Sequence, residues 1–332
     1  MVKVAVIGAG GIAHRHVETL QKIEKVEIIG IHDIKSDKAK SLASQCGAKV
    51  FEKMEDSLKE VDAVYILTPP SSHREIAVKA MDAGKHVICE KPIAITLEDA
   101  EIMIDKAKAN NVKLFITFNM RFRKSYERLK EIVDSGKLGE MITFWNQRMA
   151  RGLPKDYNWR TDPELLCGIT IESLSHDIDL VRWIGSDIVD VRGRIFASNP
   201  EISEMDDNSQ VMLTLENGAT ANIHVSWSSY FSKNSRGVVG TRGTVNLEGE
   251  GMWDCRSFQW QTENNEEPII ENIEDSLDEY SYLKENEHFI ECIEKEIEPI
   301  VTGKDGLEVL KISHAILKSH KTAQVVKIDD IC

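Results

Sequence analysis

The first thirteen residues restrict the fold more than any other stretch. Residues 2–7 (Val-Lys-Val-Ala-Val-Ile) form a short apolar run, the pattern of a strand buried on both faces of a parallel sheet. Gly8-Ala9-Gly10-Gly11-Ile12-Ala13 follows, and then a helix-compatible stretch over 14–23. Gly8 permits a tight turn, Gly10 lets the backbone approach a pyrophosphate, and Ala13 allows close helix–strand packing. Phosphates would lie at the helix N-terminus, where free N–H groups and the macrodipole favour anions, with Gly8, Gly10, Gly11, Ile12 and Ala13 as cofactor contacts. Glycine turns are common, so the motif draws its weight from its context: a strand before, a helix after, and a second strand over 26–31 that runs on to Asp33.

Asp33 lies where an acid hydrogen-bonds the adenosine ribose of a dinucleotide. Its carboxylate would repel a 2′-phosphate, which favours NAD over NADP. Lys35 and Lys38 are close enough to soften that repulsion, so NADP stays possible. The alternative is that Asp33 only caps the next helix.

The alternation continues with strands over 61–67, 86–89 and 112–118 and helices over 72–83 and 97–109. Strands and helices of these lengths in turn imply a doubly wound parallel sheet, a Rossmann domain over residues 1–120. Ligands of such sheets bind beyond the carboxyl ends of the strands. Those ends carry Thr68-Pro69-Pro70, Glu90-Lys91-Pro92 and Asn119-Met120-Arg121. Proline at 92 keeps Lys91 out of the helical region, so its ammonium can point into a crevice.

From residue 121 the texture changes. An amphipathic helix over 123–135 leads to alternating segments over 142–145, 189–196, 209–215, 220–227, 243–247 and 257–260, punctuated by Gly, Asn and Asp. This predicts an α+β domain over 121–332 with a large open, mainly antiparallel sheet, closed by helices over 282–294 and 306–320. Residues 148–157 and 227–236, polar and aromatic, read as loops walling a pocket. One long helix is expected over 169–184. It would put Glu172, His176 and Asp179 on one face and Ile171, Leu174, Ile178 and Val181 on the opposite, core-facing stripe. Taken alone, His176 is as well explained as a hydrogen-bonded core residue satisfied by Glu172.

Composition removes several classes of partner. With 55 acidic and 41 basic residues the formal charge is −14, which argues against a nucleic-acid or anionic-membrane surface. No apolar run approaches the ~18 residues of a membrane span. Cys46, Cys89, Cys167, Cys255, Cys292 and Cys332 show no Cys-x-x-Cys pair, so reduced thiols in a cytoplasmic protein are expected. No His/Cys cluster has the spacing of a metal site.

Gly8-x-Gly10-x-x-Ala13, Thr68-Pro69 with His73, Glu90-Lys91-Pro92, and Asn119-Met120-Arg121-Phe122 occur in the order of the glucose-fructose oxidoreductase, inositol dehydrogenase and rhizopine catabolism (Gfo/Idh/MocA) family, which the chain resembles. The second half continues the resemblance through Gly168, Glu172, His176-Asp177-Ile178-Asp179, Trp183 and Gly185. It departs from the family in having Glu172 where aspartate is common and in the reduced glycine run Cys167-Gly168.

The resemblance implies an NAD(P)-dependent dehydrogenase acting on CH–OH groups of a sugar, cyclic polyol or derivative. Lys91 and His176 would touch the reacting oxygen, and Glu172 would orient them or bind a neighbouring hydroxyl. Cofactor contacts would extend to Thr68, Pro69, His73, Glu90, Lys91 and Asn119. An imidazole titrates close to working pH, which makes His176 the better general base. A positive nicotinamide disfavours a charged amine beside it, so Lys91 could instead steady the alkoxide or relay the proton. The resemblance also implies a homodimer or homotetramer formed through the open sheet. His16 reads as a helix-packing residue. Arg121, Trp159 and Arg160 read as pocket guards or structural anchors, and Tyr280 and Tyr282 as candidates for the cleft. Two other readings share the scaffold: an NAD-dependent glycoside hydrolase working by transient oxidation, and a nucleotide-binding sensor without chemistry.

Overall fold

In the computed structural model, residues 1–152, 167–198, 205–275 and 279–331 are described. The chain divides into two compact units, Met1–Asn119 with Glu279–Glu308, and Met120–Asp278 with Val309–Cys332.

The first unit opens with β1 (Val2–Ile7), α1 (Gly11–Leu20), β2 (Val26–His32), α2 (Ser36–Cys46), β3 (Lys49–Val50), α3 (Met54–Ser57) and β4 (Ala63–Ile66). It continues through α4 (His73–Asp82), β5 (His86–Cys89), α5 (Leu97–Ala109) and β6 (Leu114–Ile116). The strands form a parallel sheet in the order β3-β2-β1-β4-β5-β6. The strand order therefore reverses between β1 and β4, the place where such sheets open a ligand crevice.

Local chemistry fixes the element ends. Thr96 caps α5 by accepting the Asp99 N–H at 3.2 Å, and Glu98 and Asp99 at its start oppose Lys106 and Lys108 at its end, complementing the helix dipole. Gly8 has φ +99°, and a Cβ there would lie 2.5 Å from the carbonyl oxygen of Leu67, so only glycine fits the turn out of β1.

The second unit contains α6 (Lys124–Asp134), β7 (Met141–Arg151), α7 (Gly168–Glu172), α8 (Ser175–Ile184), β8 (Ile188–Phe196), β9 (Asn208–Leu215) and β10 (Thr220–Ser226). It goes on to β11 (Ser228–Gly240), β12 (Gly243–Gly249), β13 (Ser257–Thr262) and β14 (Ile269–Glu271). Two long helices, α9 (Glu279–Glu294) and α10 (Gly303–Thr322), and the short β15 (Val326–Lys327) close the chain. The nine-stranded sheet has the order β14-β13-β12-β11-β7-β10-β9-β8-β15, antiparallel except for the parallel pair β7–β10.

The observed architecture is the expected one, a parallel Rossmann-like sheet and a mixed, mostly antiparallel sheet. Three details differ. The sequence reading draws one boundary after residue 120, whereas α9 belongs to the first unit. Phe289 and Ile290 of α9 are buried in the core built on β1, β2 and β4, and the Phe289 ring lies 4.7 Å from that of Phe115. Burying a phenylalanine of this kind contributes roughly 1.5–3 kcal/mol, ample reason for the chain to return.

Second, residues 148–151 and 228–236 are strand, not loop. Arg148 and Arg236 are buried on paired strands, with Arg148 opposite Asn234 and Arg236 opposite Asn146. Third, the expected helix over 169–184 is broken between α7 and α8. The N–H groups of Ser173 and Leu174 both return to the carbonyl of Ile169, and the Ser175 hydroxyl donates to the Glu172 carbonyl at 2.8 Å. Serine hydroxyls offer the backbone such alternatives to the regular ladder. The core stripe survives the break: Ile171, Leu174, Ile178 and Val181 are all buried.

Candidate active site

In the first unit the candidate residues gather at the carboxyl ends of β1, β2, β4, β5 and β6. An added Cβ at Gly10 or Gly11 would meet nothing within 4 Å, so the start of α1 presents bare backbone to open space. That is the cradle a pyrophosphate needs, and the residues fit an NAD-type cofactor. Asp33 spans the adjacent turns, its Oδ2 accepting from Ala9 N and its Oδ1 from Lys35 N, both at 2.7 Å. It makes no side-chain cap to α2, whose N-cap is Lys35.

At the next strand end, Ser72 Oγ donates to Thr68 Oγ1 at 2.7 Å and to the Pro69 carbonyl at 2.9 Å. His73 begins α4, and its ring is fully buried with both nitrogens against backbone carbonyls. Its contacts are thus with the loops that follow β4 and β5.

Lys91 leaves β5 with its N–H donating to Glu90 Oε2 at 3.0 Å and to Thr117 Oγ1 at 3.2 Å. Glu90 is 8% exposed, and its Oε1 lies 3.3 Å from His16 Nε2. Burial pushes the Glu90 carboxyl up, but His16, Lys91 and Thr117 outweigh it and hold the group below the usual carboxylate range. His16 is fully buried, 3.2 Å from Asn286 Oδ1 of α9 and edge-on to the Tyr282 ring. It therefore packs helices, as expected, and also backs the carboxylate that fixes Lys91. Asn119 closes this region, its Nδ2 3.4 Å from Ser281 Oγ.

The second unit holds Glu172 and His176. Gly168 starts α7 at φ +76°, and a Cβ there would overlap Asp206 Oδ1. Asp206 caps α7, its Oδ2 accepting from Thr170 N at 2.9 Å and its carbonyl accepting Ile169 N at 2.8 Å. Burial pushes the Asp206 carboxyl up against the opposing pull of Thr170. Glu172 ends α7 and His176 is the second residue of α8, so they do not share one helix face. They are 6% and 7% exposed. The Trp253 ring stands edge-on to His176 at 5.3 Å, with the Arg148 guanidinium 4.1 Å from its centre.

Asp179, expected at a polar cleft, is instead fully buried and accepts from Arg121 Nε at 2.9 Å and Nη2 at 2.5 Å. Arg121 is thereby a structural anchor. Trp159 and Arg160 lie outside the described residues. Sequence reasoning missed a buried group behind His176: Asp177 accepts from Asn146, Arg148 and Arg236, all with at most 1% exposure. A signal existed. Extending the period-two pattern of β7 beyond Trp145 puts Phe144, Asn146, Arg148 and Ala150 on its buried face. Among the described residues no group of His, Cys, Asp and Glu could hold a metal ion, and no helix is long and apolar enough to cross a membrane.

Comparison with known proteins gives a consistent result over the whole chain. Residues 2–118 match the oxidoreductase family NAD-binding Rossmann fold, and residues 126–246 match the GFO/IDH/MocA C-terminal domain. The chain is 27% identical to myo-inositol 2-dehydrogenase of Thermotoga maritima, over 99% of each chain. It is also 27% identical to scyllo-inositol 2-dehydrogenase (NAD+) of Bacillus subtilis, over 99% of this chain and 96% of that one. Among solved structures, aldose-aldose oxidoreductase of Caulobacter crescentus, complexed with glycerol, superposes with a TM-score of 0.88 at 26% identity, over 98% of this chain and 99% of that one.

Proposed function

Because this chain belongs to the Gfo/Idh/MocA family of NAD-binding oxidoreductases, we propose that it moves a hydride between the nicotinamide and a secondary hydroxyl or ketone of a sugar or cyclic polyol, with Lys91 and His176 handling the proton. The observation that carries this reading is the fixing of Lys91: its backbone is bonded to Glu90 and Thr117 just beyond β5, in the same unit as the bare-backbone cradle at the start of α1. The inositol dehydrogenases among its relatives supply the substrate class.

A dinucleotide held there would supply the hydride chemistry of its nicotinamide ring; orientation and proton transfer would fall to the protein. The turn from Gly8 to Ala13, open to solvent-side approach at Gly10 and Gly11, would hold the pyrophosphate, and Asp33 would hold the adenosine ribose. Thr68, Pro69, Glu90 and Asn119 line the nicotinamide side. His176 accepts the hydroxyl proton as the substrate is oxidised, the Lys91 ammonium steadies the developing negative charge on the same oxygen, and Glu172 binds a neighbouring hydroxyl. Glutamate in place of the family's usual aspartate extends the carboxylate by one methylene, so the hydroxyl it binds sits further from α7.

Oligomerisation through the open face of the second unit's sheet belongs to the same proposal. Phe196 and Met212 stand exposed there, on β8 and β9 among Arg192, Arg194 and Gln210, and a second copy would cover them. The test of function is NADH absorbance, with NAD+ and separately NADP+, over a panel of inositols, aldoses and their acids. Stoichiometric NADH from at least one of them supports the dehydrogenase. Glycoside cleavage without net NADH would replace it by the hydrolase reading.

A further inference from the structure

His73, which the family resemblance puts among the cofactor contacts, has no part in the hydride transfer proposed for Lys91 and His176. Its ring, fully buried, lies between two strand-end loops of the first unit. Nε2 is 2.9 Å from the Thr68 carbonyl oxygen, while Nδ1 is 3.0 Å from that of Pro92 and 3.3 Å from that of Ile93. All three partners are pure acceptors, so the ring can only donate to them. Both nitrogens are taken up by backbone, which leaves the side chain no polar atom to offer a cofactor.

The two loops are those on which the chemistry depends. Thr68 and Pro69 follow β4, and residues 91–93 carry the chain away from β5. Lys91 is bonded on its amino side to Glu90 and Thr117. On its carboxyl side the next two carbonyls face the His73 ring. A neutral imidazole has one N–H, so one loop is hydrogen-bonded while the other rests on the ring by contact; an imidazolium bonds both.

We propose that His73 is a positioning residue: its ring clamps the Lys91 turn to the Thr68-Pro69 loop, and so sets where the Lys91 ammonium stands without touching substrate or cofactor. The proposal rests on the reading of Lys91 as catalytic, and its test separates the two. A displacement of the order of 1 Å at a reacting group costs roughly 100-fold in rate, so loss of the clamp should reach turnover through Lys91 alone.

The first measurement is hydrogen exchange on the full-length NAD+ complex of wild type, His73→Ala and His73→Gln. In His73→Ala the peptides covering 67–70 and 91–95 should accelerate together while those of β1 and α1 do not. Acceleration at one loop only, or at neither, overturns the clamp. Should His73→Ala fail to fold, His73→Gln decides, because its amide carries two N–H donors and should hold both loops near the wild-type rate. If Gln loosens them as far as general unfolding does, the proposal is wrong.

The second measurement is turnover of myo-inositol with NAD+ by wild type, His73→Ala, Lys91→Ala and the double variant. A positioning role predicts a fall of about 10- to 100-fold for His73→Ala, unchanged NAD+ affinity, and no further fall on the Lys91→Ala background. An equal fall in both backgrounds marks a merely structural residue. If Lys91→Ala turns over at the wild-type rate, the reading of the active site fails, and the exchange data still decide whether His73 joins the loops.

Discussion

Oδ2 of Asp33 accepts the backbone N–H of Ala9 at 2.7 Å. The acid just beyond β2 therefore holds the glycine turn that follows β1, in addition to the ribose contact proposed for it. Two requirements meet in one carboxylate. Replacing Asp33 by alanine removes the repulsion toward a 2′-phosphate and also frees the turn. NAD+ affinity should fall roughly 10- to 100-fold, the value of a charged hydrogen bond, while NADP+ affinity falls less. Calorimetric titration of both nucleotides checks this; a parallel loss would show that the carboxylate serves the turn alone.

Lys91→Ala should lower turnover by about 10²- to 10⁴-fold with NAD+ affinity near that of wild type. The backbone bonds to Glu90 and Thr117 do not involve the lysine side chain, so the turn keeps its place when the ammonium is removed. A loss of NAD+ binding as large as the loss of turnover would make Lys91 a cofactor anchor.

How much of this was legible in the sequence depended on where the determining partners lie. The parallel sheet was readable because each strand and its following helix carry their own pattern, and Gly8, Asp33 and Lys91 sit at strand ends that the alternation marks. β11 was not: its face toward Asp177 carries Asn234 and Arg236, polar residues that mimic a loop until Asp177 and β7 are placed against them. Nor could the pattern show that Phe289 of α9 belongs to the first unit's core, since its partner Phe115 is far away in the chain. Glu172 and His176 were expected on one helix, and its break depends on Ser173, Leu174 and Ser175 finding other bonds.

Asp177 offers a stability test. Arg148 and Arg236 both donate to it, and all three are at most 1% exposed. Asp177→Asn would leave two buried guanidinium groups without their shared counter-charge, at a cost of about 3–5 kcal/mol. Urea unfolding should show that loss; a change within about 0.5 kcal/mol, as at a surface pair, would contradict the burial.

Gly168→Ala should destabilise the second unit through two effects at once. The φ of +76° is poorly tolerated by a residue with a Cβ, and that Cβ would overlap the Asp206 carboxylate that caps α7. A cost of about 1–3 kcal/mol is expected from the backbone alone. Because α7 ends in Glu172, turnover should fall as well, and a variant with wild-type melting temperature and rate would refute the assignment.

The acid side of the stability profile should carry the signature of His73. Its unfolded imidazole titrates at about 6.5. In the folded protein burial lowers that value, against the opposing pull of the Thr68, Pro92 and Ile93 carbonyls and the Glu90 charge. Below pH ~6.5 the unfolded chain then binds the proton more readily than the folded one, so the contribution is fully present above the unfolded pKa and is lost as pH falls through the lower folded value. Glu90, whose carboxyl is held below its usual range, loses its own contribution only below about pH 4.5, so the two windows separate. His86, His224 and His288 are also lowered by burial, and they titrate alike in wild type and variant. The comparison that isolates His73 is therefore wild type against His73→Gln, followed by urea midpoint from about pH 7.5 to about pH 5. The wild-type midpoint should fall more steeply across this range; parallel slopes would mean that the buried ring keeps its ordinary proton affinity.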